Sequence, residues 1–169
     1  MTRNARRVLI VGATGRLGVS IAEALARRGD KLVLTARDPN KLEGMRARLV
    51  ETDGADVATV CADLTRPDAV DDIVAGVRAK VGAVDDIILA CGPFPRTPFE
   101  DLTRDDLERT FGVHAVAPLL LVHAFKDDLT RSQGAVVGLG DAGTTRPYTN
   151  HVAYLTAKGA LRSGLLALS

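Results

Sequence analysis

Short apolar runs alternate along the chain with longer segments that have helical periodicity. The runs lack polar alternation, as expected of strands that are buried on both faces of a sheet. They occupy residues 7–11, 31–36, 56–61, 86–90 and 135–139, and the periodic segments occupy residues 16–28, 39–52, 66–81, 105–131 as one helix or two, and 151 to the end. This alternation predicts βαβ units. We therefore expect an α/β fold in which a doubly wound, mostly parallel sheet of five strands carries helices on both faces.

The size and charge of the chain narrow the possible classes. Its 169 residues fit one hydrophobic core, so residues 1–169 are expected to form a single domain. With 46% hydrophobic residues, and 22 Lys and Arg against 21 Asp and Glu, the composition indicates neither disorder nor a nucleic-acid partner. The apolar runs are too short for a signal peptide or a bilayer-spanning helix. We therefore expect a soluble, cytoplasmic protein with no membrane partner.

The cysteines and histidines suggest no metal site. Cys61 and Cys91 both fall in apolar segments and lack the CxxC or Cys/His spacing of metal ligands. We expect both to be buried free thiols in a reducing compartment. His123 and His151 have no evident partners and are expected at the surface or at a helix cap.

A glycine-spaced segment follows the first strand directly and leads into the first helix. Glycines in such a turn let backbone N–H groups and the helix N-terminus approach a pyrophosphate without interfering Cβ atoms. A purely structural turn would use glycines in a similar way, but the position at the first βα turn favours dinucleotide binding. The candidate residues are Gly12, Thr14, Gly15, Arg16, Leu17 and Gly18.

Positions after the second and third strands bear on which dinucleotide is bound. Arg37 follows the second strand, and Arg16 is expected near the same corner, so two guanidiniums can bind a ribose 2′-phosphate. This favours NADP(H). Asp38 keeps NAD as an alternative, because a carboxylate at this strand end binds the ribose 2′-hydroxyl. The pair Asp63-Leu64 lies where a carboxylate can accept from the adenine amino group, or where Asp63 caps a turn.

Tyr154 and Lys158 lie one turn apart in the last helical segment and share a helix face. A phenol with its ordinary pKa of about 10 is a poor acid at neutral pH, but a nearby ammonium favours the phenolate and lowers that pKa. Lysine can also hydrogen-bond a nicotinamide ribose. An exposed, inert pair would look the same, but downstream of a phosphate loop the pair indicates proton donation in an NADP-dependent oxidoreductase.

Together these motifs resemble the short-chain dehydrogenase/reductase family, over essentially the whole chain. The resemblance implies a Rossmann-type fold, hydride transfer with a nicotinamide cofactor, and a serine that polarises the substrate carbonyl. The usual Asn-Asn-Ala-Gly after the fourth strand is replaced, and Ala90, Cys91 and Gly92 are the positions expected near the cofactor. The asparagine of the family's proton relay is replaced by His114, which can take part in a relay or simply pack.

The expected serine is replaced by Asp141, which resembles the pteridine reductase branch, where an aspartate works with the tyrosine to protonate a pterin. Residues 16–18 and 111–118 also resemble that branch. Reduction of a C=N bond needs a proton on nitrogen, which the cofactor does not supply. Asp141, with Tyr154 or a water, can deliver it if the cleft raises the aspartate pKa. Alternatively, Asp141 caps a turn. The expected activity is NADP(H)-dependent reduction of a C=N or C=O substrate.

Family members continue past the helix that carries Tyr154 and Lys158, so the resemblance predicts that this chain is truncated at its C-terminus. Residues 135–139 would then form a bare apolar sheet edge. Segment 105–131 and the last helix are surfaces through which such enzymes usually pair, which predicts a homodimer or homotetramer. Two alternatives to an active reductase are a module that binds NADP(H) without turnover and a fragment that folds only in an oligomer.

Overall fold

The computed structural model describes residues 5–168, which form five strands and seven α-helices. The strands are β1 (Arg7–Val11), β2 (Lys31–Ala36), β3 (Val57–Cys61), β4 (Asp86–Leu89) and β5 (Val136–Gly138). The helices are α1 (Arg16–Arg27), α2 (Pro39–Asp53), α3 (Ala69–Val81), α4 (Arg104–Phe111), α5 (Ala117–Ala124), α6 (Lys126–Ser132) and α7 (Val152–Leu166). Residues 1–4 and 169, part of the expected single domain, lie outside the described residues.

The five strands form one parallel sheet in the order β3-β2-β1-β4-β5. Alternate residues of β1 enter two separate cores. Leu9 and Val11 pack with residues of α3, α5 and α7, whereas Val8 and Ile10 pack with residues of α1 and α2. The expected doubly wound sheet is therefore confirmed. Because the neighbours of β1 are β2 and β4, the strand order reverses at β1, and a crevice opens beyond its carboxyl end.

The predicted elements match the structure except in two places. α3 begins at Ala69 rather than residue 66, because Arg66 precedes Pro67 and a residue before proline is disfavoured in the helical region. Segment 105–131 is not one helix: a π-helical turn, Gly112–Val116, separates α4 from α5, and Phe125 separates α5 from α6. Pro118 has no N–H to donate to the carbonyl one turn earlier, which interrupts the α-helix there.

The two cysteines differ in their surroundings. Cys91 is a buried free thiol, as expected, and burial raises its pKa to about 11. The expectation of burial is wrong for Cys61, which is exposed because it ends the edge strand β3. Within residues 5–168, none of the helices combines the length and the apolar character needed to cross a bilayer.

Candidate functional site

The glycine segment forms a tight turn between β1 and α1. Gly12 has a φ of +86°, and a Cβ there would lie 2.6 Å from the Cα of Cys91, so only glycine lets this turn meet the end of β4. A Cβ at Gly18 would lie 2.3 Å from the carbonyl oxygen of Gly12. α1 therefore packs directly on the turn. Its first residue follows Gly15, which provides no side-chain cap. The leading N–H groups of α1, on Arg16, Leu17 and Gly18, are thus suited to an anionic ligand.

A cleft of about 660 Å³ extends from this turn across the carboxyl ends of β2, β3 and β4. Its volume is in the range of ligand-binding pockets. The predicted cofactor residues that line it are Gly12, Thr14, Gly15, Arg37, Asp38, Asp63, Leu64, Ala90, Cys91 and Gly92. Arg16, Leu17, Gly18, Tyr154 and Lys158 are not part of its lining. The glycine cradle and the cleft together fit a dinucleotide.

The corner after β2 is richer in cations than the sequence pattern suggested. Asp38 caps α2, since its Oδ1 accepts from the N–H groups of Asn40 at 3.0 Å and Lys41 at 3.1 Å. This carboxylate is therefore engaged by the helix start, while Arg37 and Lys41 both line the cleft. Two cations suit a phosphate better than a hydroxyl. Lys41 was not predicted, although a lysine three residues after a strand-end aspartate is a usable signal.

Asp63 caps a turn that follows β3 and borders the cleft. Its Oδ1 accepts from the N–H and the hydroxyl of Thr65 at 3.0 and 2.9 Å. These hydrogen bonds, with Arg37 nearby, hold the pKa of Asp63 below its usual range, so it is ionised at neutral pH. The turn-capping interpretation is confirmed, and the carboxylate still lines the cleft.

Tyr154, Lys158 and Asp141 converge where β5 meets α7. Tyr154 and Lys158 are both buried on α7. The Tyr154 hydroxyl donates to Oδ2 of Asp141 at 3.1 Å, and the Lys158 ammonium donates to the carbonyl of Leu139 at 2.8 Å. The three predicted catalytic residues are therefore brought together by the fold.

The electrostatics of this group differ from the expectation. Burial, and then the Asp141 carboxylate, raise the pKa of Tyr154 above its usual range. The expected lowering by Lys158 is wrong here, because burial lowers the pKa of the ammonium itself and its hydrogen bond goes to Leu139. Lys158 lies 5.8 Å from the centroid of the Tyr154 ring. Its charge thus does not outweigh the carboxylate beside the phenol.

Asp141 is an acceptor rather than an acid in this structure. Burial acts to raise its pKa, but hydrogen bonds from Gly143, Tyr148 and Tyr154, together with the charge of Lys158, hold that pKa below the usual range. The expectation of a raised aspartate pKa is therefore wrong. The carboxylate also caps the 3-10 turn Ala142–Thr144, through a 2.7 Å bond from the Gly143 N–H. Asp141 therefore caps this turn, as one of the two interpretations predicted, and also accepts a hydrogen bond from Tyr154.

His114 lies in the π-helical turn, packed between Gly92 and Tyr154. It is 1% exposed, and its Nε2 lies 2.8 Å from the carbonyl oxygen of Pro93, so Nε2 carries the N–H. Its Nδ1 is buried with no hydrogen-bond partner within residues 5–168. Burial, and then the Lys158 ammonium, lower its pKa to about 4. His114 is thus a neutral, packed histidine with one unused acceptor, its ring 5.1 Å from that of Tyr154.

This burial makes an expected contribution to the pH dependence of stability. The unfolded histidine titrates at 6.5 and the folded one at about 4, so the unfolded chain binds more protons between these values. Stability should be full above pH 6.5 and fall as the pH drops towards 4. Urea titrations at several pH values should show this slope reduced in His114→Asn and kept in His123→Asn, which changes an exposed histidine. An equal slope in both variants would contradict the assignment.

Phe94 forms an aromatic wall beside Tyr154 that the sequence interpretation missed. Its ring is 57% exposed, stacks on His151 at 4.1 Å and meets Tyr154 edge-on at 4.8 Å. His151 occupies the N-cap position of α7, one of the two places expected for it, and its Nδ1 lies 2.8 Å from the carbonyl oxygen of Pro95, a partner that the sequence did not reveal. A phenylalanine between two prolines was the signal available in the sequence.

Tyr148 also reaches the site without having been predicted. Its hydroxyl donates to Oδ1 of Asp141 at 3.1 Å. It comes from the irregular loop before α7, where no periodicity indicates the direction of a side chain. Nothing in the sequence distinguished it from an ordinary loop residue.

Comparison with known proteins finds dehydrogenases and reductases among the relatives of this chain. The chain is 27% identical to gluconate 5-dehydrogenase of Gluconobacter oxydans (strain 621H), over 93% of this chain and 61% of that protein. A short-chain dehydrogenase from Sphingobium yanoikuyae in complex with NADPH has a TM-score of 0.87 at 30% identity, over 96% of this chain and 64% of that one. L-Sorbose reductase from Gluconobacter frateurii, complexed with NADPH and L-sorbose, shares the fold, with a TM-score of 0.92 at 23% identity over 98% and 63% of the two chains.

The chain spans less than two thirds of the length of each of these proteins. The similarity to the family nevertheless extends along almost all of this chain. The family model for short chain dehydrogenases matches residues 6–168, and the chain therefore belongs to the short-chain dehydrogenase family.

Proposed function

We propose that this chain is the nucleotide-binding and proton-donating domain of an NADP(H)-dependent reductase that transfers hydride to a C=O or C=N substrate. The observation that carries the proposal is the convergence of Tyr154, Lys158 and Asp141 at the end of β5, in a sheet whose β1–α1 turn only glycine can form. The nicotinamide, when bound, supplies the hydride. The chain supplies binding, orientation and the proton.

Four groups of residues would hold the cofactor. The leading N–H groups of α1 would hold the pyrophosphate, where the helix dipole also favours negative charge. Arg37 and Lys41 would bind the ribose 2′-phosphate. Asp63 would accept from the adenine amino group through the oxygen that Thr65 does not use. Lys158, which donates to Leu139 in this structure, would donate to the nicotinamide ribose.

Tyr154 is the proton donor of the proposed reaction. In this structure the hydroxyl donates its single proton in a hydrogen bond to Asp141 Oδ2, so the hydroxyl must turn towards the substrate atom before it can protonate it. The phenolate that results lies next to a carboxylate, and the Lys158 ammonium offsets this repulsion.

Two observations bear on the substrate class. A gluconate dehydrogenase and a sorbose reductase are among the relatives, which supports a small carbonyl compound. The exposed Phe94 ring beside Tyr154 supports a flat ring such as a pterin, whose C=N bond would take its proton from Tyr154 or from a water held by Asp141. A panel of dihydrobiopterin, ketones and quinones, with NADPH oxidation as the readout, distinguishes these classes.

Calorimetric titration of the 169-residue chain tests cofactor binding directly. NADPH is expected to bind more tightly than NADH, and Arg37→Ala should weaken NADPH about tenfold or more while leaving NADH unchanged, since one charge-assisted contact is lost. Arg27→Ala, at the exposed far end of α1, is the matched control. Equal losses for both cofactors would contradict the 2′-phosphate assignment.

The same measurements decide between the proposed enzyme and its alternatives. Binding of NADPH without turnover of any panel member would indicate a binding module. The absence of heat at millimolar NADPH would eliminate both the enzyme and the module and leave a fragment that needs an oligomer.

We also propose that copies of the chain pair through α5 and α7. Val116, at the end of the π-helical turn, and Leu120, on α5, are 50% and 48% exposed, and neighbouring exposed apolar side chains of this kind can form part of a contact surface. Sedimentation equilibrium at micromolar concentration should give the mass of a dimer or tetramer. A monomer mass would contradict the pairing.

A further inference from the structure

We propose that Tyr148 is a positioning residue that acts through Asp141: it holds one carboxylate oxygen so that the other faces the Tyr154 hydroxyl. The proposal rests on Tyr154 being the proton donor of the proposed reaction. The geometry itself, however, can be tested without turnover.

The two oxygens of Asp141 have separate partners. Oδ1 accepts from the Gly143 N–H at 2.7 Å and from the Tyr148 hydroxyl at 3.1 Å, whereas Oδ2 accepts from Tyr154 at 3.1 Å. Two phenols thus bracket one carboxylate. With both donors on Oδ1, rotation of the carboxylate would break two hydrogen bonds, which fixes Oδ2 towards Tyr154.

The Tyr148 ring packs against Gly143. A Cβ on Gly143 would lie 2.4 Å from Cε1 of Tyr148 and 2.5 Å from Cδ2 of Leu155, so the ring lies directly against the glycine backbone. Gly143 is itself buried, and its N–H is the other donor to Oδ1. The same residue therefore sets the position of Tyr148 and shares its acceptor. The ring also meets the His151 ring edge-on, with the two centroids 5.4 Å apart, at the start of α7.

Tyr148 lies on the more exposed side of the Asp141 carboxylate. It is 38% exposed, while Tyr154 on the other side is buried. When Tyr154 turns its hydroxyl to a substrate, Oδ2 loses a donor, but Oδ1 keeps both of its own. Asp141 then remains ionised and in place for the return of the tyrosine proton. The titratable and charged groups that act on Asp141 are Tyr148 in its own loop and Tyr154 and Lys158 on α7.

The composition of the chain allows a direct spectroscopic test. It contains 2 tyrosines and no tryptophan, so phenolate absorbance reports on these two residues alone. In Tyr154→Phe the remaining tyrosine is Tyr148, whose pKa is raised by burial and by Asp141. Adding Asp141→Asn to that variant should shift the titration midpoint of Tyr148 downward, with circular dichroism confirming that the fold persists. An unchanged midpoint would overturn the proposed bond.

Kinetics test the positioning role. Tyr148→Phe should lower kcat about three- to tenfold with NADPH affinity unchanged, and should move the acid limb of the pH profile upward, since Asp141 loses a donor that favours its charge. In the Asp141→Asn background the same substitution should have no further effect. An equal loss in both backgrounds would show that Tyr148 only packs.

Gly143→Ala is a second substitution that should disturb the hydrogen bond between Tyr148 and Asp141. The added methyl group would lie 2.4 Å from Cε1 of Tyr148 and 2.9 Å from Oδ1 of Asp141, so it displaces the Tyr148 ring and crowds the oxygen that the Tyr148 hydroxyl binds. Its kinetic effect should resemble that of Tyr148→Phe, and the two should not add in the double variant. Additive losses would contradict a shared path through Asp141. If the chain shows no turnover at all, the titration of Tyr148 still decides the inference.

Discussion

Replacing Tyr154 by phenylalanine is expected to lower kcat/KM for NADPH-dependent reduction by a factor of about 10² to 10⁴. The substitution removes only the hydroxyl, which is the proton source, and keeps the ring contacts with Phe94 and His114. NADPH affinity should be unchanged, because the phenol hydroxyl bonds Asp141 and is not among the proposed contacts with the cofactor. Steady-state kinetics and calorimetric titration of the same preparation measure the two quantities separately.

Tyr148→Phe is the matched control for this variant. It makes the same chemical change on a phenol that bonds the same carboxylate, yet it should cost only about three- to tenfold in kcat. The comparison separates proton donation from the loss of a hydrogen bond to Asp141. Turnover of Tyr154→Phe at the wild-type rate would remove Tyr154 from the mechanism.

Gly92→Ala is expected to destabilise the fold strongly, by about 2–5 kcal/mol. Gly92 has a φ of +114°, and a Cβ there would lie 2.0 Å from Cε1 of His114. The histidine cannot retreat, since it is fully packed and bonded to Pro93. Chemical denaturation should show the loss of unfolding free energy.

Substitutions at two other glycines separate the free-energy cost of backbone strain from that of the clash with His114. Gly29 has a φ of +82° but open space around it, so Gly29→Ala reports backbone strain alone, about 1–2 kcal/mol. Gly44, in α2, has neither strain nor contact, and Gly44→Ala should be neutral or slightly stabilising. In a His114→Ala background, Gly92→Ala should cost no more than Gly29→Ala. A full cost in that background would contradict the clash with the ring.

The parts of the fold that followed from the sequence are those governed by local rules. β1 and β2 begin and end where predicted, because a parallel strand buried on both faces is an uninterrupted apolar run. The break in segment 105–131 was left open, since a proline within a helical pattern can kink a helix or divide it. The structure resolves this as a π-helical turn, and that turn places His114 under Gly92.

The sequence predicted most of the residues that form the site, but it did not predict the directions of their pKa shifts. Tyr154 and Lys158 share a face because helix geometry fixes their spacing. The pKa directions were wrong because they depend on which groups are buried and which oxygen each donor reaches. Lys158 binds Leu139, and Asp141 gathers three donors from an irregular loop and α7. No sequence rule assigns those partners, as Tyr148 shows.

The strand order also determines which contacts join distant parts of the chain. β1 pairs with β2 after a single helix, but its other partner, β4, follows only after two more βα units. Bringing such distant segments together carries a loop-closure cost. The contact of Gly12 with the Cys91 backbone depends on β4 lying beside β1. One wall of the crevice is therefore built from a distant segment, and we expect retention of a nucleotide to report on whether β4 is docked.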